Sequence, residues 1–129
     1  MATQSLEEKI LTLRKRDRRY ARFAYDFVLE ALDYTISRAG RRGRTGENRH
    51  VGGRELLEGI REMVTDQFGP LGKLVLNHWG VTRTEDVGEI VFNQIAIGLL
   101  NRRPEDTRLD FADGYDFEVA FERRRAPRP

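Results

Sequence analysis

The sequence predicts a mainly α-helical fold: a compact single-domain bundle of about five helices around a central apolar helix at residues 87–100, with at most short β segments. Three observations lead to this prediction. The 129 residues fit one domain that can bury a core without disulfides. Apolar residues recur at helical spacing in several stretches. Residues 87–100 are apolar on nearly every side of a helix, so other helices must surround them.

The amino-terminal part predicts two helices. Ser5 and Glu8 have the spacing of a capping box, which predicts that a first helix begins there. Asp17 is predicted to cap a second helix over about residues 18–38, because apolar residues share one side of that stretch. The predicted inner face of this second helix consists of Tyr20, Phe23, Ala24, Phe27, Val28, Ala31, Leu32 and Thr35.

Two arginine-rich segments lack the apolar side chains that a packed element needs. Residues 40–49 combine three glycines with four arginines, and we expect a mobile exposed loop there. Residues 123–129 predict a disordered basic tail. The predicted globular domain therefore spans residues 1–122.

The remaining helices follow from turn signals and periodicity. Gly69-Pro70 is predicted to separate a helix over residues 54–68 from one over residues 70–79, since Gly favours the position after a helix and Pro the first turn. Either Thr82 or Thr84 is predicted to cap the central helix. In the helix over residues 70–79, the predicted buried residues are Leu71, Leu74, Val75 and Trp79.

The acidic and aromatic stretch at residues 110–121 fits two local structures. Its aromatic residues alternate as in a strand, and some of them also fall on one side of a short helix. We favour a loop and a short helix whose aromatic rings cover the core.

Composition excludes several classes of protein. The chain has no cysteine, which excludes disulfides and thiolate catalysis. Glu89, Asn93 and Gln94 interrupt the best candidate for a membrane span, so no membrane association is expected. The first eight residues carry acid where a signal peptide needs a basic start. We therefore expect a cytoplasmic location.

Charge is distributed unevenly along the chain. Residues 1–50 hold 12 Lys or Arg against 7 Asp or Glu, residues 51–122 hold 7 against 14, and residues 123–129 hold 4 Arg and no acid. Such a distribution is typical of a chain that binds nucleic acid or an acidic partner, and equally of one that pairs its own halves. The excess of arginine, 20 against 3 lysines, also fits a GC-rich genome.

A basic surface is the first candidate site, for RNA, the ribosome or a protein partner. Arginine favours phosphate through paired hydrogen bonds and through counterion release. An arginine-rich face is also the ordinary solvent side of a packed helix. The candidate residues are Arg14, Lys15, Arg16, Arg18, Arg19, Arg22, Arg41, Arg42, Arg44 and Arg49.

A second candidate site joins carboxylates and histidines. Asp86, Glu89 and Asn93 recur at i, i+3 and i+7, which places them on one face of the central helix. With His50 and His78 they offer the ligand chemistry of a metal site, and Glu89 offers that of a general base. Because no fixed spacing joins the two histidines, a solvent-facing or capping role is the competing interpretation.

Several motifs are spread over most of the chain. They are Ala24-Tyr25, Phe27-Val28, His50-Val51-Gly52-Gly53, Phe68-Gly69-Pro70, Trp79-Gly80-Val81, Gly88-Glu89-Ile90-Val91-Phe92-Asn93, Asp110-Phe111 and Tyr115-Asp116-Phe117. With these motifs the chain resembles a family of short bacterial conserved hypothetical proteins, sometimes labelled the Minf family, over about residues 5–121. Gly52 stands where that resemblance leads us to expect a serine, and Val87 where we expect an aromatic residue. The resemblance implies a single bacterial domain and no particular activity.

These observations favour a non-enzymatic binding or adaptor module that acts through charged surfaces, without a cofactor or a metal. The alternative is a metal-dependent or acid/base enzyme built on the carboxylate and histidine cluster. A homodimer is a further hypothesis, because aromatic side chains near the carboxyl end would form a self-complementary patch where exposed. The patch residues are Phe111, Tyr115, Phe117 and Phe121.

Overall fold

A computed structural model describes residues 4–41 and 50–122. Within these two ranges the fold is helical and contains no strand, which confirms the predicted mainly α single-domain bundle. The predicted basic tail and most of the predicted basic loop, residues 42–49, lie outside the described residues. The helices are α1 (Leu6–Arg16), α2 (Arg22–Arg38), α3 (Gly53–Phe68), α4 (Gly72–His78), α5 (Thr84–Ala96) and the short α6 (Phe117–Ala120), with 3₁₀ turns at Gly69–Leu71 and Arg108–Phe111.

The first helix begins as predicted, but the second does not. The Ser5 hydroxyl accepts a hydrogen bond from the Glu8 amide at 3.1 Å, as in a capping box. Asp17 was expected to start α2, and this prediction is wrong. Asp17 ends α1, and its carboxylate accepts from the Arg19 amide at 3.0 Å. A short connection over residues 17–21 therefore separates α1 from α2, and Ala21 occupies the N-cap position of α2.

The core lies where α2, α3 and α5 meet. Most of the predicted inner face of α2 is buried, but Phe23 is 68% exposed and Tyr25 is buried in its place. Polar partners on α5 explain the difference. The Gln94 side-chain amide donates to the Tyr25 carbonyl at 3.1 Å, and the Asn93 amide donates to its hydroxyl at 3.2 Å. These bonds satisfy the polar groups of a tyrosine that water cannot reach.

The central helix is shifted towards the amino terminus relative to the prediction. It ends at Ala96, four residues before the predicted end, and begins at Thr84. Neither threonine caps it: Arg83 occupies the cap position, and the Thr82 amide donates to the Asp86 carboxylate at 2.9 Å. Its inward side chains include Ile90, which is fully buried.

The inner face of α4 differs from the predicted one. Leu71 and Leu74 are 58% and 67% exposed, whereas Leu76 is buried. The 3₁₀ turn before α4 has three residues per turn instead of 3.6, so it changes the direction of every later side chain. Gly72 and Leu76, four residues apart, consequently face the core.

The acidic and aromatic segment forms a 3₁₀ turn, a loop and the short α6, so the preference for a loop and short helix is confirmed. The Tyr115 hydroxyl donates to the Leu57 carbonyl at 2.8 Å and ties the segment to α3. Burial raises the pKa of this phenol above its ordinary value.

Among the described residues, no helix combines the length and hydropathy that a membrane span requires.

Candidate binding site

A cavity of about 540 Å³ opens between α2, the start of α3, α5 and the segment that follows α5. Small-molecule sites typically measure roughly 300 to 1,000 Å³, so this volume is large enough for a ligand. Most of the lining is apolar: Leu32, Ile36, Val51, Leu56, Val91, Phe92, Ile95, Leu99, Leu100 and Phe111. The other lining residues are His50, Gly52, Gly53, Asn101, Arg102, Arg103, Asp106 and Asp110.

The early end of α5 creates one wall of the cavity. Gly98 takes a φ of +79°, a conformation that side-chain-bearing residues rarely adopt. The Leu99 amide then donates to the Gln94 carbonyl at 2.9 Å, which closes the helix with a left-handed turn. Leu99 and Leu100 consequently line the cavity instead of extending α5.

Phe111 forms the opposite wall and sits between two glycines. A Cβ atom added at Gly88 on α5 would lie 2.9 Å from the Phe111 Cβ, and one at Gly53 on α3 would lie 3.0 Å from its Cζ. Both distances are shorter than ordinary carbon contacts. The ring can therefore occupy this position only because residues 53 and 88 are glycines. The buried Thr84 hydroxyl fixes the backbone of this wall by donating to the Phe111 carbonyl at 2.7 Å.

Polar groups gather at one end of the cavity. The His50 Nε2 lies 2.9 Å from the Asp106 Oδ2, and both side chains are mostly buried. The Arg103 amide donates to the same oxygen at 2.7 Å. Arg41 holds the chain at this point by donating to the His50 carbonyl at 2.8 Å. This end therefore combines an imidazole, a carboxylate and a guanidinium beside an apolar interior.

Arg102 contributes an exposed positive charge at the mouth. Its guanidinium carbon lies 5.3 Å from the centre of the Phe92 ring, which lines the cavity. This distance is typical of a cation–π contact. Within residues 4–41 and 50–122, Arg102 forms no ion pair.

The five predicted metal or catalytic residues do not converge. Asp86, Glu89 and Asn93 share one face of α5, as predicted, but none of them lines the cavity. His50 lies at its polar end, and the exposed His78 lies at the end of α4. In the described ranges, no group of three or more His, Asp or Glu is arranged to hold a metal ion. The cluster that the enzyme alternative requires is therefore not formed.

The polar face of α5 instead joins the connection between α1 and α2. The Tyr20 hydroxyl donates to Asp86 at 2.6 Å, and the Asn93 amide donates to Asp17 at 3.0 Å. Arg19 donates to the Asp17 carboxylate and holds the pKa of that group well below its usual range. These contacts fix the start of α2 against α5, which is a structural role.

The predicted basic residues fall into three groups. Arg19, Arg22 and Arg41 form ion pairs within the domain, to Asp17, Glu7 and Glu55 respectively. Arg42, Arg44 and Arg49 lie outside the described residues. Those that remain are exposed and form no ion pair in the described ranges: Arg14, Lys15, Arg16 and Arg18.

The prediction of an exposed aromatic dimer patch is wrong, because its side chains are buried or partly buried. Phe111, Phe117 and Phe121 are buried in the core, and Tyr115 is partly buried against it. Their rings pack mainly on one another and on the core, because the segment folds back over α3 and α5. One other large apolar side chain of this segment, Val119, is exposed. The remaining exposed large apolar side chains of the described ranges are Leu6, Leu11, Phe23, Tyr34, Leu71, Leu74 and Leu109.

Of the predicted metal, catalytic and nucleic-acid-binding residues, His50 alone lines the cavity, and the sequence predicted a different role for it. Sequence reasoning missed Arg102, Arg103 and Asp106, which lie in a stretch that has the pattern of a helix end and a turn. One signal was present in the sequence. Gly98, inside the predicted central helix, indicates an earlier helix end, after which the following leucines and arginines belong to a loop.

Comparisons with family models, with curated proteins and with solved structures found no match to this chain. The resemblance to the Minf family therefore stays a prediction.

Proposed function

We propose that this protein is a non-enzymatic binding module that holds a small, largely apolar ligand in the cavity between α2, α3 and α5. The observation that carries the proposal is the cavity itself, with about 540 Å³ lined mainly by aliphatic and aromatic side chains. An apolar pocket with a few polar groups at one end is the usual form of a small-molecule site.

Two features support a preformed ligand site rather than a gap left by loose packing of the helices. The walls are held by defined contacts, since Thr84 fixes the Phe111 backbone and the left-handed Gly98 directs the leucine wall. The polar end is ordered by the pair of His50 and Asp106. A site with fixed walls loses little conformational freedom when a ligand enters, which favours affinity.

The test uses Nile red, a neutral fluorophore, as the probe. Ile95 lines the cavity and is partly buried, so Ile95→Trp places a larger side chain in the cavity. We expect this variant to bind Nile red about tenfold more weakly than the wild type, or worse, as filled volume excludes the probe. Leu74→Trp is the matched control, because Leu74 is exposed on α4 and does not line the cavity.

Circular dichroism and thermal unfolding check that each variant is folded, and Leu100→Trp replaces Ile95→Trp if the latter is not. Equal Nile red affinity in the wild type and the cavity-filled variant would contradict the proposal. Loss of binding in Leu74→Trp alone would also contradict it, by placing the probe on the exposed α4 surface.

Contact with RNA is a second candidate function, supported by the exposed cations at the end of α1. Neutralising Arg14, Lys15, Arg16 and Arg18 together should flatten the salt dependence of RNA binding. On a single strand, the slope decreases by roughly 0.7 for each phosphate that the protein no longer neutralises. Arg54→Gln, on α3, is the control. Absence of binding at low salt, or binding that does not depend on salt, removes this candidate.

A further inference from the structure

The distribution of polarity in the cavity indicates the class of its ligand. The interior is apolar, and the polar side chains collect where residues 50–53 meet residues 101–110. A ligand that fills such a cavity places its apolar part inside and one polar group at that end. The site therefore fits an amphipathic molecule better than a uniformly apolar one.

The acids at the polar end are already bound within the protein. Asp106 accepts from the Arg103 amide at 2.7 Å and lies 2.9 Å from the His50 imidazole. The Asp110 carboxylate accepts from the Thr107 amide at 3.0 Å. Each of these oxygens already has a donor within the protein, which lowers its attraction for a cationic ligand.

The arginine at the mouth, Arg102, differs from these acids because it has no partner of opposite charge in the described ranges. Its side chain is exposed and stacks on Phe92. Gly52 and Gly53 line the cavity where the 16-residue α3 begins, but the Glu55 carboxylate accepts from the Gly52 amide at 3.2 Å and offsets the positive end of that helix, so Arg102 supplies the available positive charge. A guanidinium at the border of an apolar space binds an anion more strongly than one in open water, since fewer water molecules compete.

We propose that the ligand of this cavity is a small molecule with an apolar chain and a terminal carboxylate, and that Arg102 binds the carboxylate at the mouth. This inference rests on the proposed binding function and adds the charge of the ligand to it. The chain would lie between α2 and α5, against Leu32, Val91 and Ile95.

The experiment compares three molecules with the same ten-carbon chain: decanoate and decyltrimethylammonium, each below its micelle concentration, and 1-decanol below its solubility limit. Each displaces Nile red from the wild type, from Arg102→Gln and from Arg83→Gln. The last variant is the control, because Arg83 is an exposed arginine outside the cavity.

Decanoate should displace the probe from the wild type at a concentration roughly three- to tenfold lower than 1-decanol does. Arg102→Gln should remove most of this preference and leave displacement by 1-decanol unchanged. Arg83→Gln should behave as the wild type.

Equal displacement by decanoate and 1-decanol would overturn the charge inference while the binding function stands. A preference for decyltrimethylammonium, or a decanoate preference that survives Arg102→Gln, would do the same. If Nile red does not bind in the cavity and none of the three molecules binds, both the inference and the proposed function fail.

Discussion

Gly88→Ala is a sharp test of how the cavity wall is built, because two effects on stability oppose each other. Alanine in place of glycine within a helix normally stabilises by about 1 kcal/mol. Here the new Cβ would lie 2.9 Å from the Phe111 Cβ and 3.0 Å from its Cγ. Carbon atoms prefer about 3.5 to 4.0 Å, so the ring or the backbone must move.

The structure decides which effect is larger. Phe111 is confined on its other side by Gly53, and its carbonyl is held by Thr84 at 2.7 Å. Overpacking a confined core site costs about 1 to 3 kcal/mol. We therefore expect a net loss of about 1 kcal/mol in the free energy of unfolding, measured by urea titration, together with weaker Nile red binding.

A double-mutant cycle identifies the cause of this destabilisation. Phe111→Ala should cost about 3 to 5 kcal/mol in the wild type and less in the Gly88→Ala background, because removing the ring removes the close contacts to Cγ and Cδ2 and leaves only the one to the Phe111 Cβ. A gain of about 1 kcal/mol for Gly88→Ala, with probe binding unchanged, would refute the close approach of α5 to Phe111.

Three further predictions concern the core and its polar contacts. Asn93→Ala leaves the buried Tyr25 hydroxyl without its donor and should lower the free energy of unfolding by about 1 to 3 kcal/mol in urea titrations. The folded-state pKa of Asp17 is lowered, so its ionised form stabilises the fold above about pH 4 and this stabilisation is lost as the pH falls further. In Asp17→Asn, thermal unfolding between pH 5 and pH 3 should therefore depend less on pH than in the wild type, and an equal dependence would contradict this assignment. Leu76→Ala should cost about 2 to 5 kcal/mol, and Leu74→Ala less than about 0.5, as measured by urea unfolding; equal costs would contradict the assigned face of α4.

Local patterns in the sequence were sufficient to predict which segments form the long helices, but not where α2 begins or where α5 begins and ends. The capping box at Ser5, the Gly69-Pro70 boundary and the acidic start of α5 each act through neighbours within one turn. Periodicity also predicted that Asp86, Glu89 and Asn93 share one face. These features depend on residues that lie close together in the chain, so they can be predicted from a single sequence.

The cavity and the role of each polar residue depend on distant parts of the chain. Asp17 has the local pattern of a cap, but its partner Asn93 lies 76 positions away. The wall at Phe111 depends on Gly53 and Gly88, and no local pattern relates these three residues. The inner face of α4 was also missed, because a single 3₁₀ turn rotates every later side chain.

The most direct measurement is a titration of the isotope-labelled wild-type protein with decanoate, followed by amide chemical shifts in nuclear magnetic resonance spectra. Binding in the cavity predicts that the largest shifts lie at residues 50–53 and 97–111, and that Ile95→Trp abolishes them. Shifts concentrated around the exposed side chains of Phe23, Leu71 and Leu74, or no saturable shifts at all, would contradict the account.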